Sequence, residues 1–383
     1  MKQRIPFIKI TENKLLWISL IAVSISIKII LLPVEKADYI TFLEPWMNFI
    51  RTHNYEKSLK FLFFDYAPAY IYILILITKT GLNSLFLLKI VSIFFEYLAA
   101  YFIGKFAQLK IKNEWVVWAS ISILPLLPTV MLNASYLSQC DAIYTSLILG
   151  SVYYLLLKKQ LLSILFLGLA FSFKLQTAIV LPFFFVMMVR GNIKWYLFIA
   201  IPIIYILSIL PAVYFGGSFK NLSMVYVAQA NQYRFLTQNF PNLYIFIDNN
   251  YYDFVKPLGI LITALYTIGI GFWLRSKKNI FNLDLWVKLL FLSSITVPFL
   301  LPGMHERYMF LGDMVGLLYL FVIRKNIYLP ICILLISTYS YARCSRYNEL
   351  MPMWPAFIIF TLIVLLTHRD FVLSLKQSQN DVL

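Results

Sequence analysis

His305, Glu306 and Arg307 are consecutive in the stretch LPGMHERYMF, between two long apolar segments. Charged groups in or beside hydrocarbon are costly unless paired or wetted, and by default they mark function. The trio combines an imidazole donor or acceptor, an anion and a fork of guanidinium donors. It reads either as a salt-bridged hinge between helices or as a grip on an anionic lipid headgroup, with Glu306 aiming Arg307 or His305.

Comparable chemistry recurs upstream. In VEKADYITFLEPWMNFIR, Asp38 lies a few residues beyond the first apolar segment. Tyr39, Phe42 and Trp46 then read as an amphipathic helix at the membrane interface. A partly desolvated carboxylate there can serve as a general base, and an ordinary loop aspartate is the alternative. Asp65 precedes YAPAY, where Pro68 starts a helix whose first turn Asp65 would cap. In ASYLSQCDAIYTSL, Ser138, Gln139 and Asp141 sit where one helix ends and the next begins. Asp141 fits an N-cap there and equally turns a hydrogen-bonding group toward the outer face. In AFSFKLQTAIVLPFF, Lys174 and Gln176 separate two short apolar segments; the ammonium either snorkels to headgroups or binds phosphate as a point charge. Lys89 and Glu96 share roughly one helical face, and Glu96, near mid-membrane, calls for an ion-pair partner. NQYRFLTQNFPNLY sets Gln232, Arg234, Asn239 and Asn242 among aromatics, a mixture that suits sugars and also any wet interface.

These groups need elements to hold them, and composition says which. Of 383 residues 61% are hydrophobic and 13% charged, with a mean hydropathy of +0.78. A soluble domain carries about 25% charged residues, so this is an all-α polytopic membrane protein, expected as a single integral domain over 1–383. The net charge of +16 comes in small groups between apolar stretches rather than in one dense patch, which argues against nucleic acid. Cys140, Cys332 and Cys344 show no metal-ligand or redox spacing. No P-loop, serine-hydrolase or zinc-protease motif is present in the sequence. The tripeptides NAS at Asn133 and NLS at Asn221 match a glycosylation pattern weakly. The basic start reads as leading into an uncleaved first span.

A span needs about twenty mostly apolar residues. That ruler places about twelve helices, near 15–34, 84–104, 115–133, 141–157, 161–174, 176–189, 195–215, 257–274, 285–302, 308–323, 327–342 and 354–368. YAPAYIYILILITKT is apolar but short. Reading it as lying along the outer surface or dipping in puts Lys2, Arg4, Lys9, Lys14, Lys105, Lys110, Lys112, Lys158, Lys159, Arg190, Lys194, Arg275, Lys277, Lys278, Arg324, Lys325 and Arg369 at cytoplasmic ends. The loop near 34–83, the turn before Asp141, the Lys174 corner, the loop near 216–256 and MHERY then share the extracytoplasmic face of a plasma (inner) membrane protein.

An aspartate in the first outer loop, then DYAPAYIYIL, SQCDAIYT, AFSFKLQ and LPGMHERYMF in that order, resembles the bacterial membrane proteins related to the GPI mannosyltransferases. These are type C (GT-C) glycosyltransferases that use polyprenyl-phosphate sugars. The resemblance covers about residues 30–310, with Ala67 where a first proline is common and Ser138 where glycine is common. It implies the GT-C fold, with interfacial helices in the first loop, and inverting transfer of a hexose to a lipid-linked or cell-envelope glycan. Asp38 would be the base; Lys174, Arg307, His305 and, more weakly, Lys89 would bind the donor phosphate. Asp65, Tyr66, Gln139, Asp141, Gln176, Glu306 and Tyr308 would contact substrate. The donor leaves as a monophosphate, so no metal or other cofactor is expected and activity should survive chelation. A lipid-linked polysaccharide polymerase or ligase should carry several outer arginines in one loop, where Arg234 is nearly alone. A lipid-saccharide transporter should show repeats and polar groups at mid-membrane.

Overall fold

The computed structural model describes residues 14–277, 281–346 and 351–380. Lys2, Arg4, Lys9 and Lys278, assigned above to the cytoplasmic side, lie outside the described residues. The chain is nearly all-α, and each of the twelve apolar segments contains helix. Among the described residues six helices are long and apolar enough to cross a membrane: Lys14–Leu31, Ser84–Ile111, Trp195–Tyr214, Asn249–Arg275, Leu283–Leu300 and Trp354–Ser378. Trp115–Leu126 and Pro128–Tyr136, bent by 59°, make a seventh if they form one span. By length and composition, six or seven of the described helices could thus cross a membrane on their own. Pro68–Lys79, Asp141–Leu156, Gln160–Phe173, Leu175–Val189 and Phe310–Val322 are apolar helices of only 10–17 residues, and a helix rises about 1.5 Å per residue against some 30 Å of hydrocarbon. Exposed leucines and isoleucines such as Ile30, Leu207, Leu265 and Leu365 supply the apolar outer surface that a multi-pass membrane protein needs.

The chain forms two compact units, Met1–Leu175 with Ile199–Gln229, and Gln176–Phe198 with Ala230–Leu383. At the centre of the first is Asp141–Leu156, buried over most of its length and packed against Ser84–Ile111 and Gln160–Phe173. Gly150 permits that approach, since a Cβ there would lie 2.7 Å from the Phe166 ring. Lys14–Leu31 packs on Trp115–Ile123. Within the unit, Lys28 Nζ meets Glu96 Oε2 at 2.5 Å and lies 3.5 Å from Ser135 Oγ. The partner of Glu96 is therefore Lys28, on another helix, and not Lys89 on its own. Lys89 instead donates to the carbonyls of Leu31 at 2.8 Å and Val34 at 2.6 Å. A helix leaves its last four carbonyls unsatisfied, and here a buried ammonium covers that of Leu31 together with the Val34 carbonyl just beyond the exit of the first span.

The first loop packs into the protein. Glu44–Thr52 buries Trp46, Met47 and Ile50, so Trp46 and also Tyr39 turn into the protein instead of toward headgroups. Pro68–Lys79 begins at the expected proline but buries Ile71, Leu74 and Ile75. It packs against Glu44–Thr52 and Ala200–Tyr214 within the unit.

In the second unit, Leu283–Leu300 is almost wholly buried, with Phe310–Val322, Trp354–Asn380 and Tyr252–Arg275 packed around it. Lys288 pairs with Asp370 at 2.6 Å, and Tyr319 Oη and Asn326 Nδ2 also donate to that carboxylate. The end of Leu283–Leu300 is stitched to the long loop: Tyr244 Oη donates to Leu300 O at 2.6 Å and Asn242 Nδ2 to Leu301 O at 2.9 Å. Burial pushes the Tyr244 hydroxyl above its ordinary pKa, which keeps it a donor. Gly259 makes room, because a Cβ there would lie 2.2 Å from Tyr244 Oη. Thr237–Gln238 then pairs in parallel with Met304–His305.

Candidate functional site

In the first unit the turn between Pro128 and Asp141 does most of the positioning. Met131–Tyr136 winds as a π-helix, a widening often found at functional sites. The Gln139 N–H donates to Asn133 O at 2.9 Å, and Ser138 takes φ +60° to reverse the chain. This turn delivers Gln139 and Asp141 in different directions. Gln139 Nε2 donates to Asp38 Oδ2, joining the first loop to SQCD across 101 residues. Gln139 is buried and Asp38 half-buried, so an amide orients a carboxylate that still reaches solvent. Next to Asp38, burial together with the Glu44 and Glu35 carboxylates raises the Tyr39 hydroxyl above its ordinary pKa, so it stays neutral.

Asp141 heads its helix at the first helical position, and the N-cap position is held by Cys140, whose side chain makes no capping hydrogen bond. The expected N-cap role is thus corrected. The carboxylate instead accepts from Lys174 Nζ through Oδ1 and from Asn133 Nδ2 through Oδ2, at 2.7 Å for the latter. Asn133, Asp141 and Lys174 are all buried. Desolvating two charges is repaid only when the remaining lone pairs and protons are also bound, and Asn133 contributes to that. Lys174 therefore does not snorkel outward; its Nζ lies 5.3 Å from the Tyr66 ring centre. Tyr66 in turn meets Trp46 edge-on at 5.5 Å and Tyr70 at 5.3 Å. Tyr226 donates to Phe171 O, and burial holds its hydroxyl well above the ordinary tyrosine range.

Asp65 does not cap the Pro68 helix. The N-cap is Ala67, whose φ of −63° and ψ of 145° already have the shape a proline would impose. Asp65 Oδ1 is buried with no hydrogen-bond partner among the described residues. Lys89, committed to the Leu31 and Val34 carbonyls, stands at the root of the Asp38 loop.

The second unit holds the other expected residues. Glu306 is buried and accepts from Arg307 Nη1 at 3.1 Å. The His305 ring lies 5.2 Å from Tyr308 and 6.2 Å from Tyr233. Gln176 begins this unit, with Oε1 buried and no partner among the described residues. Arg234 pairs with Asp253 in an exposed position.

Two residues escaped the sequence reading. Asn133 looked like a glycosylation acceptor, but it is fully buried against Asp141, whereas Asn221 is exposed. Lys28 was visible as a lone cation inside an apolar span, matching the lone Glu96 in another. Among the described residues no group of three His, Cys, Asp or Glu is placed to hold a metal ion. Comparison with family models, curated proteins and solved structures returns no match for this chain.

Proposed function

We propose that this chain is an inverting membrane glycosyltransferase of the GT-C type, moving a hexose from a polyprenyl phosphate to a lipid-linked or cell-envelope glycan outside the cytoplasm. On this reading the shorter apolar helices complete about twelve crossings. One observation supports it most: four segments remote in sequence, carrying Asp38, Tyr66, Gln139 with Asp141, and Lys174, converge inside one unit. An orienting amide on a half-exposed carboxylate is what a general base requires.

In the proposed step Asp38 takes the proton of an acceptor hydroxyl as that oxygen bonds to the anomeric carbon. The anomeric bond to the phosphate oxygen breaks, and the polyprenyl phosphate leaves with the electron pair. An alcohol is a weak nucleophile, and a positioned base lowers that barrier. Lys174, aimed by Asp141, would meet the charge developing on the leaving phosphate. In the second unit Arg307 and His305, with Glu306 holding the guanidinium, are the proposed grip on a lipid phosphate.

The test uses the purified full chain, a synthetic polyprenyl-phosphate hexose and a panel of envelope acceptor lipids, with a chelator present throughout. Asp38→Asn should lower turnover about 10²- to 10⁴-fold with the melting temperature kept. Wild-type turnover in that variant would remove Asp38 as the base.

A further inference from the structure

The aromatic and amide residues of the long loop, unused by the proposed chemistry, line a cavity of about 350 Å³ within the second unit. That volume falls within the range of small-molecule sites, about 300–1,000 Å³. Its floor is Phe240 and Met353, both buried, with Phe240 braced edge-on by Phe360 at 6.0 Å. Its rim is Trp354 and Phe246, which stay 54% and 69% exposed. One wall is Asn239 with Arg343. Arg343 donates through Nε to Met351 O at 2.7 Å and through Nη1 to Asn239 Oδ1 at 3.0 Å. Asn239 itself takes φ +53° between the Thr237–Gln238 strand and Phe240. The guanidinium thereby fixes which way the amide faces. With one lone pair of its oxygen bonded to Arg343, the amide keeps its NH₂ and a second lone pair to offer a ligand.

We propose that this cavity binds one pyranose ring of a neutral glycan. Trp354 stacks on the C–H face of the ring, and Asn239 donates to a hydroxyl. Exposed rings that only face lipid need neither a cavity nor an oriented amide beside them; a sugar uses all three. The proposal rests on the glycosyltransferase reading for what brings a glycan to this unit, but the binding itself is measurable without turnover.

The experiment is saturation-transfer NMR on the full chain in a detergent without a sugar headgroup. The probes are the methyl glycosides of mannose, glucose, galactose and N-acetylglucosamine. At least one should receive saturation at its ring C–H protons. Its affinity should fall about fivefold in Trp354→Ala, fall in Asn239→Ala, and hold in Asp38→Asn. Phe246→Ala, at a still more exposed ring, replaces Trp354→Ala if that variant does not fold. No transfer to any of the four, or unchanged affinity in both the ring and the amide variants, overturns the proposal. Loss of binding in Asp38→Asn overturns it too, by placing the sugar in the first unit. Failed glycosyl transfer with intact glycoside binding removes the enzyme reading and leaves this site.

Discussion

Ser138 shows how much one position carries. It holds a left-handed backbone at φ +60°, and its hydroxyl is buried with no partner among the described residues. For a residue with a Cβ that conformation costs roughly 1–2 kcal/mol. A glycine would suit this place for a physical reason, the reversal that lets Gln139 reach Asp38 while Asp141 reaches Lys174. Ser138→Gly relieves both penalties and should raise stability by about 1 kcal/mol, after the added freedom of the unfolded chain is subtracted. Ser138→Ala relieves only the hydroxyl and should gain less. Thermal melts of the two variants in detergent decide it; equal or lower melting for Ser138→Gly would dismiss the strain account. Ala67 is the converse case, since its backbone already has proline geometry and a short side chain there changes nothing in the chain path.

Between elements, the polar contacts act as locks rather than surface decoration. Lys28 and Glu96 are both buried and couple Lys14–Leu31 to Ser84–Ile111 at 2.5 Å. Breaking such a pair strands the remaining charge and costs about 3–5 kcal/mol, while replacing both by apolar side chains is often near neutral. Lys28→Met and Glu96→Met should each lower the melting temperature markedly, and Lys28→Met/Glu96→Met should recover most of the loss. Additive effects in that double-mutant cycle would show the two groups to be energetically independent. Helicity was readable from apolar run length, and some ends were too: the run placed at 141–157 is the helix Asp141–Leu156, whereas those placed at 84–104 and 257–274 run on as Ser84–Ile111 and Tyr252–Arg275. Pairing was not, because a lone lysine in one run and a lone glutamate in another do not say which helices touch. For the same reason Asp65 was read as a cap and Asp141 was left open between a cap and an outward hydrogen-bonding group. Position before a helix fits a cap, but in both cases the N-cap is a different residue, and Asp141 finds stronger partners in Lys174 and Asn133.

For the whole molecule, charge distribution remains the handle on orientation. The positive-inside rule puts Lys158 and Lys159 in the cytoplasm and the loop near 216–256 outside. Asn221 and Lys159 are both exposed, so each accepts a reporter cysteine. Cys344 is exposed and Cys332 partly so, whereas Cys140 is buried, and the first two are replaced by serine beforehand. An impermeant maleimide should label Asn221→Cys on intact cells and Lys159→Cys only after permeabilisation. Labelling of both from one side would break the topology on which the extracytoplasmic chemistry depends.

Composition and run length by themselves determined a helical chain with segments apolar enough to cross a membrane, where most of those helices lie, and which polar residues stand apart from the apolar background. Those are local properties, set by hydrophobicity and by the break each charge makes in an apolar run. Only the tertiary structure decided that Asp38 is met by Gln139, that Asp141 binds Lys174 instead of capping, that Glu96 answers Lys28, and that Asn239 lines a cavity with Trp354. Each of these pairs joins residues from 33 to more than 100 positions apart. Such pairings follow from how helices pack, and packing is set by the shapes of many side chains at once.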